Sequence, residues 1–155
     1  MRIDKERKRP PILNYVVDAS VALKWFLPES GNAGAEALLT AFLGVTVSLY
    51  APDLLLIEVA SALWRRTIVL KELAPSDAKA IYRDLLTLPL NFQPSERLAA
   101  SAFSLAIAQR HSAYDSVYCA LAVEMDCEFV TADRKLVAKL SRALPFIRHL
   151  SAIHL

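Results

Sequence analysis

Short apolar runs rich in β-branched residues alternate along the chain with longer segments of helical periodicity. The predicted strands are residues 13–17, 47–50, 88–92, 128–131 and 146–148. The helices predicted between them cover residues 19–27, 33–43, 52–71, 76–87, 95–110, 114–125 and 134–141. Because parallel strands are joined by crossovers that usually contain a helix, this alternation predicts an α/β fold. We expect a mostly parallel sheet with helices on both faces.

The composition fits one globular domain and excludes several kinds of site. Of the 155 residues, 55% are hydrophobic, which is enough for a core, and the formal net charge is +2. The three glycines cannot form a glycine-rich phosphate loop. The two cysteines and three histidines lack the spacing of a zinc site or a disulfide framework. No apolar stretch reaches the roughly 18 residues of a bilayer span, so we expect a soluble, cytoplasmic protein.

Residues 1–13 differ in composition from the rest of the chain. Five basic residues lie in this segment: Arg2, Lys5, Arg7, Lys8 and Arg9. We interpret the segment as a flexible basic arm, and residues 14–155 as the single folded domain. The alternative, that the arm contacts phosphate groups, stays open.

Four acidic residues stand among apolar neighbours, unlike most of the sixteen in the chain. They are Asp18, Glu58, Asp115 and Asp133. An ionised carboxylate beside apolar side chains is costly unless it is paired, hydrogen-bonded or bound to a cation. Taken singly, each has a structural explanation. The three aspartates lie at or just before the starts of predicted helices and can cap them, and Glu58 can share a solvated helix face with Ser61 and Arg65.

Taken together, the four acids favour a metal site. Asp18 and Asp133 follow predicted strands, and open parallel sheets bind ligands beyond the carboxyl ends of their strands. Converging carboxylates need a compensating cation, and no Lys or Arg immediately flanks Asp18, Glu58 or Asp115. Oxygen ligands without His or Cys select Mg²⁺ or Mn²⁺. Such an ion holds phosphate and activates water, which predicts phosphodiester hydrolysis, with Glu58 binding the metal or orienting the water.

The same segments resemble the PIN-domain family, most closely the VapC-type ribonuclease toxins of toxin–antitoxin pairs. The resemblance covers about residues 14–148. It rests on Val16-Val17-Asp18-Ala19-Ser20, Ala51-Pro52-Asp53-Leu54 before Glu58-Val59, Ala113-Tyr114-Asp115-Ser116-Val117-Tyr118, and Val130-Thr131-Ala132-Asp133-Arg134. It implies a three-layer PIN-like fold with a five-stranded parallel sheet, in which the four acids form the catalytic metal site. Ser20 and Thr131 are implied as supporting polar groups.

The resemblance also implies partners and a substrate. It implies a homodimer, cleavage of structured RNA such as transfer RNA, and inhibition by a small VapB-type antitoxin. Seven dispersed side chains are candidates to flank the site and contact RNA: Lys24, Trp25, Arg65, Arg66, Arg110, Arg134 and Lys135. For Trp25 and Trp64, packing in the core or in a dimer interface is favoured over base stacking.

Two other functions stay open at this point. A phospho-accepting receiver domain also gathers acidic residues and Mg²⁺ at strand ends, but it gives Glu58 and Asp115, both predicted on helices, no role. A non-catalytic module would keep the fold, use the acids as caps and bind a partner. Metal-dependent cleavage of RNA distinguishes the nuclease from both alternatives.

Overall fold

The computed structural model describes residues 12–27 and 31–155. Its centre is a sheet of five parallel strands in the order β3-β2-β1-β4-β5. The strands are β1 (Leu13–Val17), β2 (Val47–Pro52), β3 (Asn91–Gln93), β4 (Glu128–Thr131) and β5 (Ile147–His149). The predicted α/β fold with a five-stranded parallel sheet is confirmed.

Seven α-helices flank the sheet within the described residues. They are α1 (Ala19–Lys24), α2 (Ala33–Leu43), α3 (Leu54–Trp64), α4 (Pro75–Thr87), α5 (Ser95–Gln109), α6 (Ala113–Met125) and α7 (Arg134–Leu140). α3 continues into a π-helical turn at Arg65–Val69, and a 3₁₀ turn at Leu150–Ala152 follows β5. No helix in these ranges is long and apolar enough to cross a membrane. Residues 1–11 of the predicted basic arm lie outside the described residues.

The strand order places the end of β1 at a topological switch point. The chain adds β2 and β3 on one side of β1, and then adds β4 and β5 on the other. In open parallel sheets, ligands bind beyond the carboxyl ends of the strands at this point. Asp18 follows β1, and Asp133 lies two residues beyond the end of β4. The order differs from the 2-1-3-4-5 order of the flavodoxin-like fold, which excludes the receiver-like alternative.

The core holds α6 firmly against the sheet. Val16 and Val17 of the central strand are fully buried, and α6 packs against β1, β2 and β4. The seven residues 116–122 of α6 are all buried. The rings of Tyr118 and Phe129 stack with their centroids 5.6 Å apart. This packing fixes the first turn of α6, which carries Asp115.

The helix predicted over residues 19–27 ends earlier, at Lys24. Two further predicted boundaries are wrong, and both lie at prolines. The helix predicted from Pro52 begins at Leu54, because Pro52 is the last residue of β2 and pairs with Gln93 of β3. Its missing N–H is tolerated there, since β1 pairs with β2 only as far as Tyr50. The strand predicted at 88–92 lies instead at Asn91–Gln93, because Pro89 cannot donate to a strand ladder.

Candidate active site

One cavity at the carboxyl edge of the sheet contains all four predicted acids. It has a volume of about 490 Å³, and its acidic lining residues are Asp18, Glu58, Asp115 and Asp133. The other lining residues are Ala19, Ser20, Leu54, Ile57, Ser61, Tyr114 and Tyr118. None of the described residues that line it is a lysine, arginine or histidine. All four carboxylates therefore line one cavity, while their catalytic roles stay a prediction.

Asp18 is the most deeply buried of the four, with 8% of its surface exposed. Its Oδ1 accepts hydrogen bonds from the Ser20 hydroxyl at 2.5 Å and from the Val21 N–H at 3.2 Å. Its Oδ2 accepts a hydrogen bond from the Thr131 hydroxyl at 2.5 Å. Burial raises the pKa of Asp18 to about 6, although these hydrogen bonds lower it and the charge of Asp115 raises it further. The carboxylate is thus held firmly in a place where its charge is costly.

The supporting residues Ser20 and Thr131 connect two strand–helix junctions through Asp18. Besides its bond to Asp18, the Ser20 Oγ accepts a hydrogen bond from the Ala132 N–H at 2.9 Å. The Thr131 Oγ1 accepts one from the Asp133 N–H at 3.1 Å. Each hydroxyl therefore accepts a hydrogen bond from a backbone N–H and donates one to the Asp18 carboxylate. These two bonds fix the orientation of the hydroxyl.

The capping prediction holds for two of the three aspartates. Asp18 caps α1, and Asp133 accepts hydrogen bonds from two backbone N–H groups in the first turn of α7, at 2.9 and 3.1 Å. For Asp115 the prediction is wrong. Ser112 caps α6 by accepting a hydrogen bond from the Tyr114 N–H, which leaves Asp115 as the third residue of the helix. Its carboxylate therefore has no capping role.

Asp115 has a partner that the sequence analysis missed. The Nε2 of His111 lies 2.7 Å from the Oδ2 of Asp115. The His111 side chain is 15% exposed, so the contact is partly shielded from water. The sequence signal for this contact is the spacing of four residues between His111 and Asp115. A search for zinc-ligand spacing alone does not detect it. The imidazole orients one oxygen of Asp115.

Glu58 is half-buried, so the predicted solvated face does not describe it. Its Oε2 accepts a hydrogen bond from the Tyr118 hydroxyl at 2.5 Å. Burial raises the pKa of Glu58, the Tyr118 hydrogen bond lowers it, and the charges of Asp18 and Asp115 raise it. The sequence analysis also missed Tyr118 as a site residue. Its position three residues after Asp115, on the same face of α6, was the signal.

A separate carboxylate, Asp53, determines where α3 begins. Its Oδ1 accepts hydrogen bonds from the Ser95 hydroxyl at 2.5 Å and the Ser95 N–H at 3.0 Å. The Ser95 Oγ in turn accepts one from the Leu54 N–H at 3.2 Å. The hydrogen bonds from Ser95, chiefly that from its hydroxyl, lower the pKa of Asp53. They tie the start of α3 to the start of α5.

The donor set of the acidic cavity fits a hard divalent cation. The charge of Asp115 raises the pKa of both Asp18 and Glu58, and no cationic side chain among the described lining residues compensates it. No three Asp, Glu, His or Cys side chains in the described ranges form a group that could hold an ion by themselves. Mg²⁺ usually binds one or two carboxylates and keeps several waters. The cavity therefore fits an ion that retains much of its water.

Comparison with known proteins decides the family. The sequence profile described as PIN domain matches residues 15–141, which include all four acids. The chain belongs to the PIN-domain family. A PIN domain is generally a nuclease, and such nucleases typically depend on a divalent metal.

A solved structure shows the same PIN fold. The structure of PAE2754 from Pyrobaculum aerophilum matches with a TM-score of 0.64 and 22% sequence identity. The match covers 90% of this chain and 85% of that one. At this identity it supports the fold alone. No curated protein matches the sequence at a significant level.

The tryptophans and cysteines of this PIN domain lie outside the acidic cavity. Trp25 is half-buried against the core, and its indole N–H donates to the Ala35 carbonyl at 3.1 Å. Trp64 is 59% exposed, so burial in the core is wrong for this residue. Cys119 is buried, Cys127 is half-buried, and both are free thiols.

Proposed function

We propose that this PIN domain is a Mg²⁺- or Mn²⁺-dependent endoribonuclease that hydrolyses phosphodiester bonds in structured RNA such as transfer RNA. The observation that carries the proposal is the single cavity of about 490 Å³ lined by the four acids. Membership of a family of nucleases supports hydrolysis of a phosphodiester bond. The resemblance to the VapC-type toxins supports RNA as the substrate.

Asp18, Asp115 and Asp133 would hold the ion, in part through the water molecules that it retains. They approach the cavity from the end of β1, from the first turn of α6 and from the start of α7. Ser20 and Thr131 keep Asp18 in one orientation, and His111 does the same for Asp115. A bound divalent ion would hold the phosphate, lower the pKa of water and neutralise charge on the leaving oxygen.

Glu58 has the properties of a proton acceptor in the same cavity. A carboxylate with a raised pKa takes a proton from water more readily than an ordinary surface carboxylate does. The pKa of Glu58 is raised, and the Tyr118 hydroxyl fixes one of its oxygens. Tyr118 itself stays protonated, because burial and the charge of Glu58 raise its pKa. Glu58 therefore either binds the ion or orients the attacking water and takes its proton.

We also propose that the domain is the toxin of a toxin–antitoxin pair, acts as a homodimer and is inhibited by a VapB-type antitoxin. The resemblance is the main support for these partners. A groove of about 410 Å³ between α3 and α4 adds apolar surface, since Trp64, Ile68 and Leu86 in its lining are more than half exposed. Exposed apolar patches are typical of surfaces that bind other proteins.

The same groove favours the second candidate, a non-catalytic module that binds a partner. In that module the acids would serve only as helix caps. Asp18 and Asp133 fit this role, but Asp115 and Glu58 cap no helix and share the acidic cavity. Burial raises the pKa of Glu58, and a carboxylate that carries this cost without capping a helix favours the nuclease.

Cleavage of RNA tests the proposal. The full chain is incubated with total cellular RNA in Mg²⁺, in Mn²⁺ or in EDTA, and the new RNA ends are sequenced. We expect cleavage only with metal, and a loss of at least about 100-fold in Asp115→Asn, because the ion loses a carboxylate ligand. Asp126→Asn is the matched control, since Asp126 is exposed and lines no part of the cavity. Wild-type protein that leaves RNA intact with both metals would overturn the proposal.

A further inference from the structure

A second cavity lies on the other side of the turn that carries Asp133. It has a volume of about 330 Å³, within the range of pockets that bind small ligands. Its polar lining side chains are Lys24, Arg134, His149 and Ser151. None of the described residues that line it is acidic. We call it the cationic pocket.

Three basic side chains from different elements meet at this pocket. Lys24 ends α1, Arg134 begins α7 and His149 ends β5. Their mutual influence is visible at His149, because burial, and then the charges of Arg134 and Lys24, lower the pKa of its imidazole. Lys24 and Arg134 therefore bring two positive charges to the lining of one pocket, in a chain whose net charge is only +2.

Arg134 is exposed and has no ion-pair partner in the part of the chain that the structure describes. Two other exposed arginines are already engaged, since Arg97 pairs with Glu124 and Arg148 pairs with Glu128. A guanidinium offers five N–H donors in a geometry that matches phosphate oxygens. Arg134 is thus available to bind an anion from outside the chain.

The backbone around Asp133 places the cationic pocket beside the acidic cavity. Asp133 lines the acidic cavity, whereas its two neighbours, Ala132 and Arg134, line the cationic pocket. A nucleic acid carries a phosphate at every nucleotide. Because Asp133 and Arg134 are adjacent in the chain, a strand with one phosphate at the acidic cavity can place a further phosphate at the cationic pocket.

We propose that the cationic pocket binds a phosphate group of the nucleic-acid substrate adjacent to the phosphate that is cleaved. The inference rests on the proposed nuclease function and adds the residue that sets the position of the strand. The acidic cavity repels a polyanion when no cation is bound, so an anchor beside it would hold the strand in register. Arg134 is the main contact, and it acts on binding rather than on the chemical step.

Binding of RNA without cleavage tests this proposal. The affinity of the full chain for a fluorescent RNA oligonucleotide is measured by anisotropy in EDTA, at several salt concentrations between about 50 and 200 mM. Loss of one phosphate contact lowers the slope of log K against log [salt] by about 0.7 to 0.9. We expect Arg134→Gln to show this decrease together with a several-fold loss of affinity.

Two further variants control for folding and for general charge. Arg134→Lys keeps the charge, so it should restore most of the salt slope. Arg142→Gln removes an exposed arginine beyond the far end of α7 that lines neither cavity, and it should change neither slope nor affinity. An Arg134→Gln variant indistinguishable from Arg142→Gln would overturn the proposal.

A pair of RNAs distinguishes the two sources of phosphate. Arg134→Gln weakens a 5′-hydroxyl RNA and a 5′-phosphorylated RNA equally if the pocket holds an internal phosphate. It weakens only the phosphorylated RNA if the pocket holds a chain end, which would overturn the adjacent-phosphate assignment. Because no metal is present, these results do not depend on cleavage. If the chain binds RNA in this way but never cleaves it, the proposed nuclease function is wrong, while phosphate binding by the cationic pocket is still supported.

Discussion

Asp18 and Asp53 occupy the same kind of position and have opposite properties. Each follows a parallel strand and stands directly before a helix at the carboxyl edge of the sheet. Asp18 is buried, and its pKa is raised to about 6. Asp53 is exposed, and the hydrogen bonds from Ser95 lower its pKa.

The ionised carboxylate of Asp53 stabilises the fold, whereas the ionised carboxylate of Asp18 destabilises it. Asp53 accepts its hydrogen bonds at the surface, where water also solvates the charge. Asp18 accepts three hydrogen bonds, but burial and the nearby charge of Asp115 outweigh them. A costly carboxylate that is held rigidly is typical of a functional site, because a ligand can repay the cost. The following predictions test this contrast.

The largest expected effect is on catalysis. Asp18→Asn should lower the rate of metal-dependent RNA cleavage by about 100-fold or more, because the ion loses a rigid anionic ligand. Asp53→Asn should retain most of the activity, since Asp53 does not line the acidic cavity. Initial rates measured on one RNA substrate check both variants. Equal losses of cleavage rate in the two variants would show that Asp18 and Asp53 do not differ in their role in catalysis.

The next effect is on the stability of the metal-free protein. Asp18→Asn should raise the free energy of unfolding at pH 7 by about 1 to 3 kcal/mol, since it removes a buried charge. The pKa of Asp18 rises on folding from its ordinary value of 3.8 to about 6. The folded wild-type chain therefore binds the Asp18 proton more tightly than the unfolded chain does. The stability that this proton contributes is lost as the pH rises from about 4 to above 6. The gain in the variant should be full at pH 7 and vanish below about pH 4.

Urea denaturation of both proteins in EDTA across this pH range measures the difference. Asp18→Asn keeps the shape of the side chain, and the Ser20 and Thr131 hydroxyls can reorient toward the amide. A variant that is less stable than wild type at pH 7 would show that the hydrogen bonds of Asp18 outweigh the cost of burying it.

The sequence predicts those features of Asp18 and Asp53 that depend on neighbouring residues, but not those that depend on distant segments. The apolar run before Asp18 and the helical pattern after it predict a strand–helix junction, and the structure confirms both elements. The hydrogen bond to the Oδ2 of Asp18 comes from Thr131, which is 113 residues away along the chain. The hydrogen bonds of Asp53 depend on Ser95, 42 residues away. Local pattern places both aspartates, but only the packing of distant segments determines their pKa values.

The same limit explains the site residues that the sequence analysis missed or misassigned. Asp115 looks like a cap from its position near the start of a helix, but Ser112 provides the cap instead. Glu58 looks like part of a solvated face until α6 brings the Tyr118 hydroxyl to its carboxylate. Local spacing predicts that the three aspartates occur near helix starts and that Glu58 lies within a helix. It does not predict which side chains orient them.

An intermediate effect is expected for Tyr118→Phe. The phenyl ring keeps the stack with Phe129, but Glu58 loses its hydrogen-bond donor. The pKa of Glu58 should rise further, and the rate of cleavage at neutral pH should fall by about 10-fold, since the carboxylate is no longer oriented. A rate–pH profile that moves to higher pH is the expected signature.

Tyr82→Phe is the matched control for that variant. It removes a hydroxyl that donates to the Leu56 carbonyl and does not line the acidic cavity. Its rate–pH profile should match that of wild type. An unchanged profile in Tyr118→Phe would show that Tyr118 does not act through Glu58.

The smallest effect is expected for the stability of Asp53→Asn. Loss of the anionic acceptor for Ser95 should lower the free energy of unfolding by about 0.5 to 1 kcal/mol at pH 7, a modest value because the site is exposed. A lowered pKa contributes stability above the ordinary pKa of the group and loses it as the pH falls through the folded value. The deficit should therefore shrink in acid, opposite in sign to the gain in Asp18→Asn. Thermal denaturation at neutral and acid pH measures it.

Calorimetric titration with Mn²⁺ tests most directly the central claim, that the costly carboxylates form a cation site. The wild-type chain and Asp53→Asn should both bind the ion, and Asp18→Asn should bind it far more weakly or show no measurable heat. Wild-type protein that binds no Mn²⁺, or Asp18→Asn that binds it as tightly as Asp53→Asn does, would contradict the account.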